Sequence, residues 1–417
     1  MAEQVAIARL GHRGDGIAET ATGPVYVPYA LPGETALVAR DGARGRVIEI
    51  ERPSAERAEP FCPYFGACGG CIAQHMSAAL YAGWKRGIVA DALARANLQT
   101  PLEPLIDAHG EGRRRITFHA RYKDGKTRVG YMAARSHDLV EIAFCPISEP
   151  GLADAPRAAR ALAEVLASAR KPLDLQVTAT GAGLDIDIRG HGPLREVERG
   201  ALVEAAAALD LARLSLHGDR LVERRAPVVA MGPAQVILPP GSFLQATTAG
   251  EEALSALVLD ACGSARRVAD LFAGCGPFAL RLAQSREVHA VDGDGAALAA
   301  LDRAARGTSG LRRVSTETRD LFRRPLLAPE LERFDAVVMD PPRAGAEAQA
   351  KQLAGAKVAV VVSVSCDAAT FARDAAILVG SGYALERVVP LDQFKYSAHV
   401  EIVGVLRREP ARPTRRR

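Results

Sequence analysis

The sequence predicts an α/β protein in which a Rossmann-like domain follows two smaller, β-rich domains. From about residue 243 onward, short apolar strands alternate with Ala-rich helical stretches. Residues 1–52 instead contain short strands separated by Gly, Pro and Asp, which is typical of a small β-barrel. Between these regions, residues 113–147 alternate apolar and polar side chains as antiparallel strands do. A chain of 417 residues is long enough for about two to four such domains.

Local patterns define the individual elements. Ser77 is the predicted N-cap of a helix that extends to Ala96, with Trp84 and Ile88 on its apolar side. In the last domain, a parallel, doubly wound sheet is expected from the strands Arg267–Leu271, Val288–Asp292, Ala336–Met339 and Val358–Val364. We therefore divide the chain into a barrel (1–52), a central α+β domain (53–74 and 106–242), the Rossmann-like domain (75–105 and 243–409) and a basic, disordered tail (410–417).

Positive charge is concentrated in two segments. The net charge is +4, but residues 406–417 contain six Arg and one Glu, and residues 113–135 contain eight Lys or Arg and one Asp. Two cationic segments on a near-neutral body indicate a polyanionic partner. In the second segment, Arg115, His119 and Arg121 alternate with apolar residues, so we expect them to form a cationic stripe on one face of a strand.

Composition excludes several classes of protein. No segment approaches the roughly 18 consecutive apolar residues that a membrane helix needs. The N-terminus lacks a basic segment followed by an apolar core, so we expect no export signal and a cytoplasmic location. The seven cysteines are an odd number, which argues against a disulfide framework and for a reducing compartment.

Four of the cysteines form a pattern typical of a metal site. Cys62, Cys68 and Cys71 are spaced C-x5-C-x2-C, and Cys145 follows in a second Cys-Pro pair. Four thiolates can ligate an iron–sulfur cluster or a zinc ion. The five-residue spacing and the Cys-Pro pairs favour the cluster, and a four-cysteine zinc site is the alternative.

A glycine-rich turn in the second half predicts a nucleotide-type ligand. The strand ending at Leu271 leads into Gly274-Cys-Gly276 and then a helix, and Asp292 ends the next strand about 20 residues later. This arrangement fits a dinucleotide or S-adenosylmethionine, with the acidic residue near the ribose hydroxyls. Ala279 stands where a dinucleotide fingerprint has its third glycine, which disfavours the dinucleotide and a redox enzyme.

Three further polar residues occur at strand ends in the same domain. Asp340 opens the rigid turn Asp-Pro-Pro after one strand, and Cys366 follows another in Ser-Cys-Asp. Glu401 begins the final strand, beside His399. We expect Cys366 to be a nucleophile in a polar site that favours its thiolate, and Glu401 to be a general base.

In this order, the motifs resemble those of the class I RNA 5-methyluridine methyltransferases. The resemblance covers most of the chain and implies a TRAM-like barrel, a [4Fe–4S] cluster on Cys62, Cys68, Cys71 and Cys145, and S-adenosylmethionine as methyl donor. It implies Cys366 as nucleophile and Glu401 as base. The implied contacts to S-adenosylmethionine are Gln245, Phe272, Asp292, Asp320 and Asp340.

The resemblance implies methyl transfer to C5 of a uridine in 23S ribosomal RNA, by a protein that we expect to be monomeric. Transfer RNA is the alternative substrate; ribosomal RNA is preferred because the transfer-RNA members typically lack the barrel and the cluster cysteines. Two other classes stay open, an exocyclic-amine methyltransferase and a non-catalytic iron–sulfur RNA-binding protein. The chain departs from the family's motifs at Pro277, at Asp367-Ala368 after the cysteine, and at Lys395 and Ser397 before the base, which puts contacts to the substrate in question.

Overall fold

The computed structural model describes residues 2–408, and its N-terminal strands form a six-stranded, curled sheet. The strands are β1 (Ala2–Ala6), β2 (Arg9–Leu10), β3 (Gly16–Thr20), β4 (Gly23–Val27), β5 (Thr35–Asp41) and β6 (Arg44–Arg52), in the spatial order β1-β5-β6-β4-β3-β2. Its concave side is filled by small and β-branched residues, among them Val25, Val27 and Val38, which are fully buried. The short strands expected for residues 1–52 are present.

A seven-stranded sheet forms the centre of the chain, in the order β10-β9-β8-β11-β12-β13-β14. Its strands are β8 (Arg115–Lys123), β9 (Lys126–Met132), β10 (Leu139–Glu141), β11 (Leu173–Thr180), β12 (Gly183–Arg189), β13 (Arg213–Leu216) and β14 (Asp219–Glu223). Two helices, α2 (Ala155–Val165) and α3 (Glu196–Ala208), cover one face, and their apolar residues share a core with the sheet. A separate hairpin, β15 (Val228–Met231) and β16 (Ala234–Ile237), follows.

The C-terminal part is an eight-stranded α/β sheet in the order β19-β18-β17-β20-β21-β23-β22-β7. The strands are β7 (Ile106–Asp107), β17 (Arg267–Leu271), β18 (Glu287–Asp292), β19 (Val314–Thr318), β20 (Ala336–Met339), β21 (Val360–Ser365), β22 (Tyr383–Asp392) and β23 (Glu401–Arg408). The helices are α1 (Ala78–Arg95), α4 (Thr248–Cys262), α5 (Ala279–Leu282), α6 (Gly295–Gly307), α7 (Ala328–Leu331), α8 (Glu347–Gly355) and α9 (Ala368–Gly380).

The predicted doubly wound arrangement is confirmed, because successive strand residues pack into different cores on the two faces. Ala269 and Leu271 pack with α1, α8 and α9, whereas Val268 packs with α4, α5 and α6. The expectation of a wholly parallel sheet is wrong. β23 pairs antiparallel with both β21 and β22, and this reversal brings the start of β23 to the edge where β21 ends.

The helix predicted from Ser77 belongs in space to this C-terminal sheet. The Ser77 side chain accepts a hydrogen bond from the backbone N–H of Leu80, as an N-cap does. Tyr81, Trp84 and Ile88 pack against residues of β22 and α9. Just beyond α1, β7 pairs in parallel with β22. The division of the chain into domains stays a prediction, and the basic tail at 410–417 lies outside the described residues.

Among residues 2–408, no helix combines the length and the apolar character that crossing a bilayer requires.

Candidate active site

The glycine-rich turn lies at the carboxyl edge of the C-terminal sheet, directly after β17. Phe272 and Gly274 have φ values of 61° and 52° there. A non-glycine residue in this left-handed region is unusual and occurs most often at functional sites. A side chain at Gly274 would meet no atom within 4 Å, so the backbone faces open space. A Cβ on Gly276 would come within 2.3 Å of Leu301. Only glycine therefore fits at this position without displacing Leu301 of α6.

Two carboxylates flank this turn. Asp292 accepts hydrogen bonds from the backbone N–H groups of Gly274 (2.8 Å) and Asp294 (2.7 Å), which fix the carboxylate beside the turn. Asp320 is exposed and accepts from the N–H of Phe322 at 3.0 Å. The Phe322 ring lies 5.5 Å from that of Phe272 and is about half exposed. Because a carboxylate has about four lone-pair sites, both aspartates can still accept hydrogen bonds from a ligand.

Asp340 and Gln245 are in direct contact. Asp340 follows β20, and its Oδ2 accepts a 2.9 Å hydrogen bond from Nε2 of Gln245. Arg114 fixes the backbone of Gln245, since its Nε donates to that carbonyl at 2.9 Å. The Arg114 guanidinium also forms a buried ion pair with Glu251 of α4. The segment that carries Gln245 is therefore held between the central sheet and the C-terminal one.

Cys366 and Glu401 meet because β23 runs antiparallel to β21. Ser365, the last residue of β21, pairs with Ile402, so Cys366 just beyond it lies near the start of β23, where Glu401 is buried. Asp340 lies near them as well, because the charges of Glu401 and Asp340 both raise the pKa of the Cys366 thiol. The structure thus gathers Gln245, Asp340, Cys366 and Glu401 at one sheet edge.

Burial dominates the acid–base properties of this group. It raises the pKa of Glu401 to about 7 and that of Asp340 well above its usual range, where the charge of Glu401 adds to the effect. Burial, together with those two carboxylates, also raises the pKa of Cys366 to about 11, although Arg343 opposes the shift. The expectation of a site that favours the thiolate is therefore wrong for the protein without substrate.

Side chains of α1 contact the loop between β22 and β23 and fix its position. Lys85 is fully buried and forms a 2.8 Å ion pair with Asp392, the last residue of β22. Its ammonium group also donates to the backbone carbonyl of His399. The Tyr81 hydroxyl donates to Asp392 at 2.6 Å and accepts from the N–H of Tyr396 at 2.7 Å. One helix thus fixes both ends of the loop that precedes Glu401.

Sequence reasoning did not identify Lys85, Asp392 or Gln393 as parts of this site. Gln393 is fully buried and hydrogen-bonded to Glu401. Asp392 ends the apolar strand that precedes Glu401 and Gln393 follows it directly, and two polar residues at the end of an apolar strand were an available signal. Lys85 had no such signal, because its partner lies 307 positions away.

The four patterned cysteines line one cavity on the side of the central sheet. The cavity has a volume of about 460 Å³ and is bordered by Cys62, Cys68, Cys71 and Cys145 together with aromatic residues. All seven cysteines are free thiols. Burial raises the pKa of Cys71 to about 12, with the charges of Cys145 and Cys68 adding to the effect.

Four thiols around one cavity supply the donors that either a [4Fe–4S] cluster or a zinc ion needs. Within residues 2–408, no group of three or more His, Cys, Asp or Glu side chains is arranged closely enough to hold one metal ion. A zinc site needs four ligands at about 2.0–2.3 Å from one point. A [4Fe–4S] cluster takes one thiolate at each of four irons.

The cysteine segment also touches the loop that precedes Glu401. The N–H of Ile72, next to Cys71, donates to the carbonyl of Tyr396 at 2.8 Å. The rings of Phe61 and Tyr396 lie 5.6 Å apart in an edge-to-face arrangement. Tyr396 itself has a φ of 62°. Tyr396 thus contacts the cysteine segment and belongs to the loop that leads to Glu401.

The cationic stripe predicted on β8 is wrong in part, because Arg115 and His119 have partners on other segments of the chain, whereas Arg121 donates to the carbonyl of its own neighbour Ala120. Arg115 is half-buried; its Nε donates to the Thr178 hydroxyl at 2.9 Å, and its guanidinium also contacts the backbone of Ser242. His119 contacts Asp174 at 2.7 Å. The alternation was read correctly, since Ile116, Phe118 and Ala120 are buried. Sequence alone does not reveal that the neighbouring strand supplies partners to the polar face.

Comparison with known proteins shows the family to which this chain is related. Residues 237–409 match the family model described as tRNA (Uracil-5-)-methyltransferase. The chain is 46% identical over 403 residues to a protein of Brucella suis named an uncharacterized RNA methyltransferase, covering 97% of each chain. It is 35% identical to the 23S rRNA (uracil(1939)-C(5))-methyltransferase RlmD of Halomonas elongata, covering 97% of this chain and 89% of the other.

A solved structure has the same fold over nearly the whole chain. It is the Pyrococcus abyssi tRNA (uracil-54, C5)-methyltransferase in complex with S-adenosyl-L-homocysteine, with a TM-score of 0.73 at 21% identity. The alignment covers 97% of this chain and 100% of the other. The class I methyltransferase fold expected from the motifs is thereby confirmed.

This chain belongs to the RNA uracil-5-methyltransferase family, and it is a methyltransferase.

Proposed function

We propose that this protein transfers a methyl group from S-adenosylmethionine to C5 of a uridine in 23S ribosomal RNA, in the cytoplasm. The observation that carries the proposal is the grouping of Cys366, Glu401 and Asp340 at one sheet edge. The choice of ribosomal RNA rests on the 35% identity to a 23S ribosomal RNA enzyme over 97% of the chain.

In this proposal S-adenosylmethionine supplies an electrophilic methyl group. The residues proposed to hold it surround the open turn after β17, namely Gln245, Phe272, Asp292, Asp320 and Asp340. Asp292 and Asp320 would accept hydrogen bonds from hydroxyl or amino groups of the ligand, and the rings of Phe272 and Phe322 offer an apolar surface. The left-handed turn lets the ligand approach the backbone closely.

Cys366 is the proposed nucleophile, and Glu401 is the proposed general base. Uracil C5 is a weak nucleophile, and addition of a thiolate at C6 makes C5 carbanion-like. With its pKa near 11, Cys366 must lose its proton to a neighbouring base as substrate binds. After methylation, Glu401 removes the C5 proton and the thiolate leaves from C6. The uridine must leave its stack to reach this edge.

A transfer-RNA uridine is the second candidate substrate. The Pyrococcus abyssi structure supports it, because the fold of that transfer-RNA enzyme aligns with 97% of this chain. The barrel therefore does not separate the two substrate classes, contrary to the argument made from sequence.

Methyl transfer to defined RNAs tests the proposal. The full-length protein, purified without oxygen, is incubated with S-adenosylmethionine and with unmodified bacterial 23S ribosomal RNA or transfer RNA, and the nucleosides are identified by mass spectrometry. We expect 5-methyluridine in the ribosomal RNA alone. Product in transfer RNA alone would overturn the substrate and keep the chemistry, whereas a methylated exocyclic amine would overturn both.

We further propose that the four cysteines ligate a [4Fe–4S] cluster and that the N-terminal curled sheet is a TRAM-like RNA-binding domain. The cluster prediction concerns composition rather than activity. Protein purified without oxygen should contain about four irons per chain, and Cys68→Ala should lose most of this iron.

The matched control for the cluster experiment is Cys262→Ala. Cys262 is buried at the end of α4, away from the cavity, so its replacement should leave the iron content unchanged. About one zinc per chain instead of iron would favour the four-cysteine zinc site. Equal iron in both variants would contradict the proposed ligand set.

A further inference from the structure

Gln393 occupies an unusual place beneath the proposed active site. Its side chain is fully buried, and its Nε2 donates to Oε1 of Gln245 at 2.7 Å and to Oε2 of Glu401 at 2.8 Å. Gln245 in turn donates to Asp340 at 2.9 Å. Two amides thus link the half-buried Asp340 and the buried Glu401 in one hydrogen-bonded chain.

The orientation of the Gln393 amide is fixed by its third contact. The backbone N–H of Ala246 donates to Oε1 of Gln393 at 3.0 Å, so the oxygen must face Ala246. The amide nitrogen is then directed to Gln245 and Glu401. The opposite orientation would place oxygen against the Glu401 carboxylate and nitrogen against a backbone N–H, which is unfavourable on both sides. Both N–H groups of the Gln393 amide and one lone pair of its oxygen are thus used within the protein.

The charges around Glu401 explain why such a donor matters. Glu401 is buried near other ionisable groups that follow the neighbouring strands and α1, namely Asp340, Cys366, Arg343 and the Asp392–Lys85 pair. Burial favours the neutral acid, and the hydrogen bond from Gln393 favours the carboxylate. A general base must be deprotonated to act.

We propose that Gln393 is a positioning residue that keeps Glu401 oriented and ionised and holds the Gln245 amide in the orientation that reaches Asp340. The inference rests on the proposed function, because it assumes that Glu401 is the base. The affected step is elimination. The C5–H bond breaks and its proton goes to Glu401, the electron pair forms the C5=C6 double bond, and the C6–Sγ bond breaks to release the thiolate.

Gln393→Met tests this role, because methionine has a similar length and no donor. Removing the donor raises the pKa of Glu401, so less carboxylate is present at neutral pH. We expect the single-turnover rate at which RNA containing 5-methyluridine is released from the adduct at pH 7 to fall about fivefold or more. This rate should recover as the pH rises. Slow elimination should also make the covalent protein–RNA adduct accumulate on denaturing gels.

Gln349→Met is the matched control. Gln349 is also fully buried and also forms two hydrogen bonds through its amide, both with the backbone of Leu326, far from Glu401. It should lose stability to a similar degree without changing the pH profile or the adduct level. Should Gln393→Met fail to fold, Gln393→Asn keeps a polar amide that is one methylene too short to reach both partners, and it should give the same shift.

The outcomes separate the two proposals. If the wild type is active and the Gln393 variants match Gln349→Met in the pH dependence of the rate and in the adduct level, the role of Gln393 alone is overturned. A wild type that forms no 5-methyluridine on either RNA would overturn the proposed function itself.

Discussion

Replacing Cys366 with alanine is expected to abolish methyl transfer, with a loss of at least about 10⁴-fold in rate. Without a sulfur nucleophile, C5 of uracil is not activated, and neither S-adenosylmethionine binding nor Glu401 can compensate. The covalent protein–RNA adduct should disappear as well. The measurement is single-turnover methyl transfer, with the adduct followed on denaturing gels.

The control for Cys366→Ala is Cys262→Ala, which removes a buried thiol at the end of α4. It should retain activity near that of the wild type. Methyl transfer that survives in Cys366→Ala would favour the exocyclic-amine reaction, which needs no nucleophile. RNA binding without methyl transfer in the wild type would favour the non-catalytic iron–sulfur protein.

Replacing Lys85 with methionine is expected to give the largest loss of stability of any single change considered. Asp392 would keep a buried charge without its partner, which costs about 3–5 kcal/mol. The loop before Glu401 would also lose the ammonium group that contacts the carbonyl of His399. For a domain of this size the unfolding midpoint should fall by about 6–20 °C, measured by thermal denaturation.

Two further variants make the Lys85 experiment decisive. Lys351→Met removes an exposed ion pair with Glu347, and such pairs contribute at most about 0.5 kcal/mol. The double variant Lys85→Met with Asp392→Leu leaves no unpaired charge and should regain much of the lost stability. A Lys85→Met midpoint equal to that of Lys351→Met would contradict the structural role assigned to the buried pair.

Local sequence patterns predicted the elements and the edge at which the site lies. The predicted strands Arg267–Leu271 and Ala336–Met339 are present with those bounds, and the helix after Ser77 is capped as expected. Each of these depends on neighbouring residues alone. The functional motifs were found because carboxyl ends of parallel strands share one edge.

Long-range contacts set the remaining properties of the site. The pKa of Cys366 follows from Asp340 and Glu401, which are brought beside it by the antiparallel β23. Likewise, Arg115 forms its contacts with Thr178 and Ser242, far along the chain. Pairings between segments this distant leave no periodic signal in the sequence, so its local patterns could not supply them.

The position of α1 and β7 has a consequence for synthesis. Both leave the ribosome early, yet β7 pairs with Asp392 and Leu391, and Lys85 needs Asp392 as its partner. The C-terminal sheet therefore cannot be completed until nearly the entire chain has emerged, and closing so long a loop is slow. Until then the apolar face of α1 is exposed to solvent, where it can aggregate or be bound by a chaperone. A fragment that begins at residue 237 would lack both elements at any stage.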